Sequence, residues 1–380
     1  MSTTSLMDFL SIIPDPRIDR GKKHKLEDIL VIAICGVISA CETWVDIEEY
    51  GKTKRNWFEQ FLDLENGIPS HDTFGRVFSL LEPEAIQEAF FSWVKRLTQV
   101  LPREIVSIDG KSLRGSIKQG GKSTSTISIV SAWASQAGVV LGQKSFEITK
   151  GKAERTATEE LIELLYLKGC IVTLDANGAT PSITKSITRK KADFIVGLKN
   201  NQKALLKYCK WAFEQIKEPA YYQTQEKSRD RKEIREYHQI GVNEFSFTAG
   251  RKAGWERQKR KWPTLNTFGM VKSTVTRRGK TTQEFRYFFS SMEVNIREFE
   301  RAVRSHWEIE NKVHWILDVA FREDESRVRT KHAAENLAIV RRLALNLLKK
   351  EKFSKRSVKG KRLKCAWDNN YLLKVLTTEA

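Results

Sequence analysis

The chain has 380 residues, enough for two or three domains at roughly 150 residues each, and 40% hydrophobic with 30% charged residues describes a globular chain, not a disordered one. Its longest apolar run, Ile29 to Ala40, is twelve residues and holds Gly36 and Ser39, too short to cross a bilayer; the N-terminus lacks the basic start and apolar stretch of a secretory signal. The formal net charge is +19 and is unevenly spread: residues 1–100 carry −5 and residues 101–380 carry +24. A surface that basic favours a polyanionic partner, nucleic acid before an anionic membrane. Five scattered cysteines without a CxxC pair suit reduced thiols in the cytoplasm.

Residues 1–102 read as a small, self-contained helical domain. Leu26–Ala40 is an apolar-rich helix, Trp44–Phe61 alternates aromatic and charged residues at helical spacing, and Asn66-Gly67-Ile68-Pro69-Ser70 is a turn before the next helix start. A further helix runs from about Pro83 to Val100, and Leu101-Pro102 marks the boundary. The pattern then changes. Glu104–Asp109, Ser125–Ser135, Val139–Ile148, Cys170–Asp175 and Phe194–Leu198 read as strands, with Gln136-Ala137-Gly138 as a hairpin turn. Glu154–Leu167 and Ser182–Lys191 read as helices, which makes a mixed α/β layer. Residues 220 to about 295 form a β-rich insertion, with strand-like pieces at Arg235–Ile240, Phe268–Thr276 and Phe285–Ser290. Helical periodicity returns from Ile296 to Lys350, and residues 349–380 form a basic tail. Residues 251–280 carry +9 and residues 341–364 carry +10.

Two of the apolar strands end in acids, Asp109 and Asp175. Strand ends form the rim where sites in α/β folds collect, and a carboxylate there is costly to bury without a partner. In Arg304–Phe321 the residues His306, Glu310, His314 and Asp318 recur every four positions, forming one stripe on a helix, with Trp307, Ile309, Val313 and Ile316 facing the core. Two site chemistries fit. The histidines with Glu310 suit zinc, although the spacing is not HExxH. Alternatively, Glu310 joins Asp109 and Asp175 as oxygen ligands for magnesium or manganese, as in two-metal phosphoryl transfer.

The ordered series of short motifs resembles the H-repeat-associated DDE transposases of bacterial insertion sequences over nearly the whole chain. It runs through Ile13-Pro14-Asp15-Pro16-Arg17, His24-Lys25-Leu26, Asn66-Gly67-Ile68-Pro69, Ile108-Asp109-Gly110-Lys111-Ser112-Leu113-Arg114 and Thr173-Leu174-Asp175-Ala176. It continues with Lys199-Asn200-Asn201-Gln202, His306-Trp307-Glu308-Ile309-Glu310-Asn311, Leu317-Asp318-Val319 and Asn370-Tyr371-Leu372. The resemblance implies an RNase H-like catalytic core over residues 103–348, interrupted by the insertion. It implies a DDE triad of Asp109, Asp175 and Glu310 that holds two Mg²⁺ ions, with Mn²⁺ as a substitute. It also implies cleavage of DNA at transposon ends and strand transfer into a target by a homodimer or larger assembly, with no membrane and no small-molecule cofactor. His306, Asn311 and Asp318 are expected to support Glu310, with Arg322 as ion partner of Asp318. Lys111, Arg114, Lys199, Asn201, Gln202, Arg231 and Arg235 are expected to contact DNA, loop capping being the other role open to Asn201 and Gln202. The sequence departs from the family pattern after the second acid, where Asn177-Gly178-Ala179-Thr180 stands in place of MGCQ, and again at Gly151–Arg155 and Arg229–Arg231. A chain of this family that binds DNA without cutting it, or a nuclease without strand transfer, are the alternative readings.

Overall fold

The structure, a computed structural model, describes residues 6–97, 101–116, 126–147, 153–228 and 230–378. The chain begins with helices α1 (Leu6–Leu10), α2 (Leu26–Ile38), α3 (Trp44–Thr53), α4 (Arg55–Phe58), α5 (His71–Leu80) and α6 (Pro83–Leu97). Strands β1 (Ile105–Ser112), β2 (Ile127–Ala134) and β3 (Val139–Glu147) follow, then α7 (Ala153–Leu164), β4 (Ile171–Leu174), α8 (Pro181–Arg189), β5 (Asp193–Leu198) and α9 (Lys203–Gln215). Next come β6 (Ala220–Ser228), β7 (Arg231–Gly241), α10 (Ala249–Lys261), β8 (Thr267–Arg277) and β9 (Lys280–Ser290). The chain closes with α11 (Ile296–His306), a π-helical turn (Glu310–His314), α12 (Trp315–Phe321), α13 (Ala333–Lys350), α14 (Val358–Trp367) and α15 (Asn369–Leu376). No helix is long and apolar enough to cross a membrane among the described residues.

These elements sort into two compact units: one of residues 1–99, 110–154 and 310–380, the other of residues 100–109 and 155–309. The first holds the N-terminal helices, the β2–β3 hairpin and α12 to α15. Local signals start its helices. Thr43 and Asp46 form a reciprocal capping box on α3, and Ser70 caps α5 through the Thr73 N–H. Helix α2 is apolar on nearly every side and is buried accordingly, and α13 is buried almost as completely although it carries Asn336, Arg341, Arg342 and Asn346. Helix α13 packs on α2, α5, α6 and β3. Its two asparagines are spent on backbone: Asn346 exchanges two hydrogen bonds with Val140 of β3 (2.7 and 2.8 Å), and Asn336 donates to the carbonyls of Phe78 and Leu81. The N-terminal helices thus share their core with a helix more than two hundred residues downstream. The basic segment after residue 349 is helical too. Arg362 is buried with its guanidinium on the Val37 carbonyl and the Glu42 carboxylate, and Lys361 is buried on the carbonyls of Leu348 and Glu351.

The second unit is a mixed sheet with strand order β1-β4-β5-β9-β8-β7-β6. Strands β1, β4 and β5 are parallel, with Ile105 opposite Ile171 and Ile171 opposite Asp193. The remaining strands are antiparallel, and β7 to β9 form the long meander that reads as the β-rich insertion. Helix α10 interrupts that meander. Its sequence, AGRKAGWERQKRK, has no apolar stripe, so only its Trp255 is buried. Ile105, Ile171 and Ile195 of the parallel strands bury a core against Phe299, Ala302 and Val303 of α11.

Two expectations are corrected. The segment Arg304–Phe321 is not one regular helix: α11 stops at His306, and residues 310–314 wind as a π turn before α12. The π turn interrupts the regular spacing from His306 to Asp318, although His314 stays beside Glu310, and Trp307 is half exposed instead of facing the core. The second strand is described from Ile127, so Ser125 lies outside the described residues, as do Gly151 and Lys152 of a departing motif.

Candidate active site

Alternation along a strand puts Ile105, Ser107 and Asp109 on one face of β1, and Ile171, Thr173 and Asp175 on the matching face at β4. Because the strands are parallel and Ile108 lies opposite Leu174, the two acids come level just beyond the last paired residues; Asp175 closes β4, but β1 does not end at Asp109 as expected and runs on to Ser112. One pleat below them the side chains are polar but buried. Thr173 Oγ1 donates to Ser107 Oγ (3.1 Å), Ser107 donates to the Ser305 carbonyl (3.1 Å), and His306 Nδ1 lies 3.1 Å from Thr173 Oγ1. The end of α11 is therefore keyed to the strands directly beneath the acid pair. His306 reaches the Thr173 hydroxyl, two residues before Asp175. Ser107 and Thr173 escape a reading of the sequence alone, although a lone hydroxyl inside each β-branched run is the available signal.

Asp175 leaves its strand in extended geometry and caps the turn Ala176–Gly178. Its Oδ1 accepts the N–H of Asn177 (2.8 Å) and of Gly178 (3.4 Å). Oδ2 has no such partner among the described residues. The turn is gripped from outside. Asn201 Nδ2 donates to the Ala176 carbonyl (2.5 Å) and Gln202 Nε2 to the Ala179 carbonyl (2.8 Å). Lys261 Nζ in turn donates to Gln202 Oε1 (3.0 Å). Gly197 of β5 permits the close approach: a Cβ there would lie 3.3 Å from the Ala176 nitrogen. Asn201 and Gln202 are placed as clamps on the second acid's turn, while Lys199 is exposed beside them.

Glu310 opens the π turn and is exposed, with the buried His314 Nδ1 3.4 Å from its Oε2. Asn311 follows, exposed. Asp318 pairs with Lys111 (2.7 Å), whereas Arg322 turns to Glu325. Lys111 also meets Asp324 (2.8 Å) and Glu323 (3.4 Å), and Glu323 pairs with the buried Arg342 (2.8 Å). Burial opposes the charge on Lys111, but Glu323, Asp318 and Asp324 outweigh it and hold its pKa above the usual lysine value. Burial pushes Asp318 up. Glu323 is buried as well, yet Arg342 and Lys111 hold its carboxyl at about 2. Lys111 thus sits inside an ion cluster; Arg114 is exposed, 3.4 Å from Asp324. Arg231 and Arg235 both pair with Glu233, at 2.7 and 2.8 Å.

Family models match both parts of the chain: one described as DDE_Tnp_1-associated over residues 7–94, and one described as Transposase DDE domain over residues 101–347. The chain is 37% identical over 387 aligned residues to "Putative transposase YncI" of Escherichia coli O157:H7, covering 100% of this chain and 96% of that protein. It is 34% identical over 384 residues to "H repeat-associated putative transposase YhhI" of Escherichia coli strain K12, covering 99% and 98%. Among solved structures, a piggyBac transposase synaptic complex with hairpin DNA aligns with 97% of this chain and 79% of that one. The TM-score of 0.43 at 12% identity is too weak a likeness to assign the fold.

Proposed function

We propose, from the premise that the chain belongs to the H-repeat-associated DDE transposases, that Asp109, Asp175 and Glu310 are its catalytic triad on an RNase H-like core. The reaction we assign is cleavage at transposon ends followed by strand transfer into target DNA. The observation that carries this reading is the parallel register of β1 and β4, which sets Asp109 and Asp175 level just beyond their last paired residues.

The donor set suits a hard divalent cation. The three acids offer carboxylate oxygen, with the His314 imidazole beside Glu310, and Asp175 commits only one of its oxygens to the described protein. Asp109, Asp175 and Glu310 would hold two Mg²⁺ ions, or Mn²⁺ in their place, and bound there such ions supply charge stabilisation at the reacting phosphate. In the first step a water oxygen bonds to phosphorus at the transposon end. The P–O3′ bond breaks and a 3′-hydroxyl is released. In the second, that hydroxyl oxygen bonds to a target phosphorus and displaces the target strand's own 3′-oxygen. The chain's part in both is placement. Asn201 and Gln202 hold the Asp175 turn, and Ser107, Thr173 and His306 fix α11 beneath the acid pair. Arg114, Lys199 and other exposed cations hold duplex DNA, and two ends require at least two protomers, in the cytoplasm on the nucleoid. We assign residues 1–102 to a helical accessory domain, residues 103–348 to the catalytic domain and residues 349–380 to a basic C-terminal segment.

The test incubates the full-length protein and Mg²⁺ with a plasmid carrying the element's two ends. Joined end–target products are expected, and their loss in Asp109→Asn. Cleaved ends without joined products would leave a nuclease; products undiminished in Asp109→Asn would overturn the triad.

A further inference from the structure

We propose that the outer face of α9 and α10 is a binding surface for the phosphate backbone of duplex DNA, a proposal that rests on the DNA-processing reading above. Lys203, Lys207 and Lys210 recur at i, i+4 and i+7, so they line one side of α9, and all three are exposed. Helix α10 is seated by its aromatic anchors. The Trp255 ring lies 5.5 Å from that of Tyr208 on α9 and 5.9 Å from that of Phe268, and the helix ends on the buried Trp262. Gly254 permits that seating, since a Cβ there would stand 2.2 Å from the Tyr208 hydroxyl oxygen. With Trp255 turned inward, Arg257 and Arg260 point outward and are exposed. The two rows adjoin at one ring: Arg251 lies 3.8 Å and Lys207 4.5 Å from the Trp211 centroid.

Charge complementarity selects the occupant. The two helices carry only Glu214 and Glu256 as acids, and among the described residues none of these six cations has a carboxylate within 4.0 Å. Elsewhere in the same unit cations are matched, as in Arg103 with Glu298, Arg235 with Glu233 and Lys272 with Glu236. Like charges held in rigid rows repel unless an anion answers them. A helix of 13 residues is about 20 Å long, and duplex DNA offers a charge about every 1.7 Å along its axis. The array therefore fits an extended polyanion better than a single anion. An anionic membrane is disfavoured because none of the exposed large apolar side chains lies on α9 or α10.

The experiment uses the full-length chain carrying K203Q, K207Q, R257Q and R260Q together, with unchanged thermal unfolding as the folding control. Binding to a 30-base-pair duplex of random sequence is measured by fluorescence anisotropy across a salt series. The slope of log affinity against log salt should flatten by about 3 to 4, near 0.9 for each phosphate no longer neutralised. The weakening should be equal on a duplex carrying the element's end, because backbone contacts do not read sequence. Should the fourfold variant misfold, Lys207→Gln and Arg257→Gln singly should each remove about 0.9. An unchanged slope in variants, with salt-dependent binding by the parent, overturns this surface and leaves the transposase reading standing. So does loss of affinity for a single-stranded RNA alone. A parent chain that binds no duplex at all sinks the transposase reading itself.

Discussion

Removing the clamp on the Asp175 turn separates two roles for Asn201 and Gln202. Each donates one side-chain hydrogen bond to a turn carbonyl, Ala176 at 2.5 Å and Ala179 at 2.8 Å. A net hydrogen bond of this kind is worth about 1 kcal/mol, so Asn201→Ala with Gln202→Ala loosens the turn by about 2 kcal/mol. That corresponds to roughly 30-fold in the population of correctly placed Asp175. A cation held through Asp175 should feel that loss directly. The Mg²⁺ concentration for half-maximal cleavage should rise about 10- to 30-fold, with the rate at saturating Mg²⁺ largely restored. Duplex affinity should not move at any salt concentration. Cleavage titrated with Mg²⁺, beside anisotropy at several salt concentrations, reads both quantities. An unchanged Mg²⁺ requirement with duplex affinity weakened several-fold at every salt concentration would refute the clamp and make these neutral side chains phosphate hydrogen-bond donors.

Asp175→Asn and Glu310→Gln should each abolish Mg²⁺-dependent cleavage while leaving duplex affinity within a few-fold. Activity surviving in either would remove that acid from the triad. Glu323 should govern acid stability: its folded pKa of about 2 against an ordinary 4.5 is worth about 3 kcal/mol. A depressed carboxylate gives its full contribution above pH 4.5 and loses it as pH falls toward 2, so urea midpoints should drop steeply there, and less so in Glu323→Gln; parallel curves would contradict this. Arg362→Met should cost about 2–4 kcal/mol by stranding Glu42 and the Val37 carbonyl, whereas Lys359→Met, at an exposed position, should be silent in the same melt.

The site is legible in the sequence where chemistry and periodicity coincide. An acid closing a β-branched run announces itself, and both such strands are parallel neighbours with their acids level. Legibility fails where tertiary context overrides local pattern. The stripe from His306 to Asp318 assumes 3.6 residues per turn, and the π turn at Glu310–His314 breaks it. Closeness in sequence pairs Asp318 with Arg322, whereas its partner, Lys111, is two hundred residues away. Helix α10 is hidden because two aromatic anchors, not an apolar stripe, hold it inside a strand-rich stretch. Charge counting marks residues 341–364 as uniformly basic, but burial of Lys361, Arg362, Arg341 and Arg342 removes four of those charges from any free surface.

The threading of the first unit has a consequence for the chain's birth. Its N-terminal helices lack a finished core until α13 arrives to cover α2, α5 and α6. At about 5–20 residues per second, residue 350 leaves the ribosome tens of seconds after residue 30. Throughout that interval the apolar surface of α2 lacks the cover that α13 supplies in the folded chain. A chain truncated before α13 should therefore show no cooperative unfolding of its N-terminal helices and should be cleaved faster by protease than the full chain. Decay of the 3′ end would silence a copy of the gene at the level of protein survival, before any question of chemistry at the carboxylates arises.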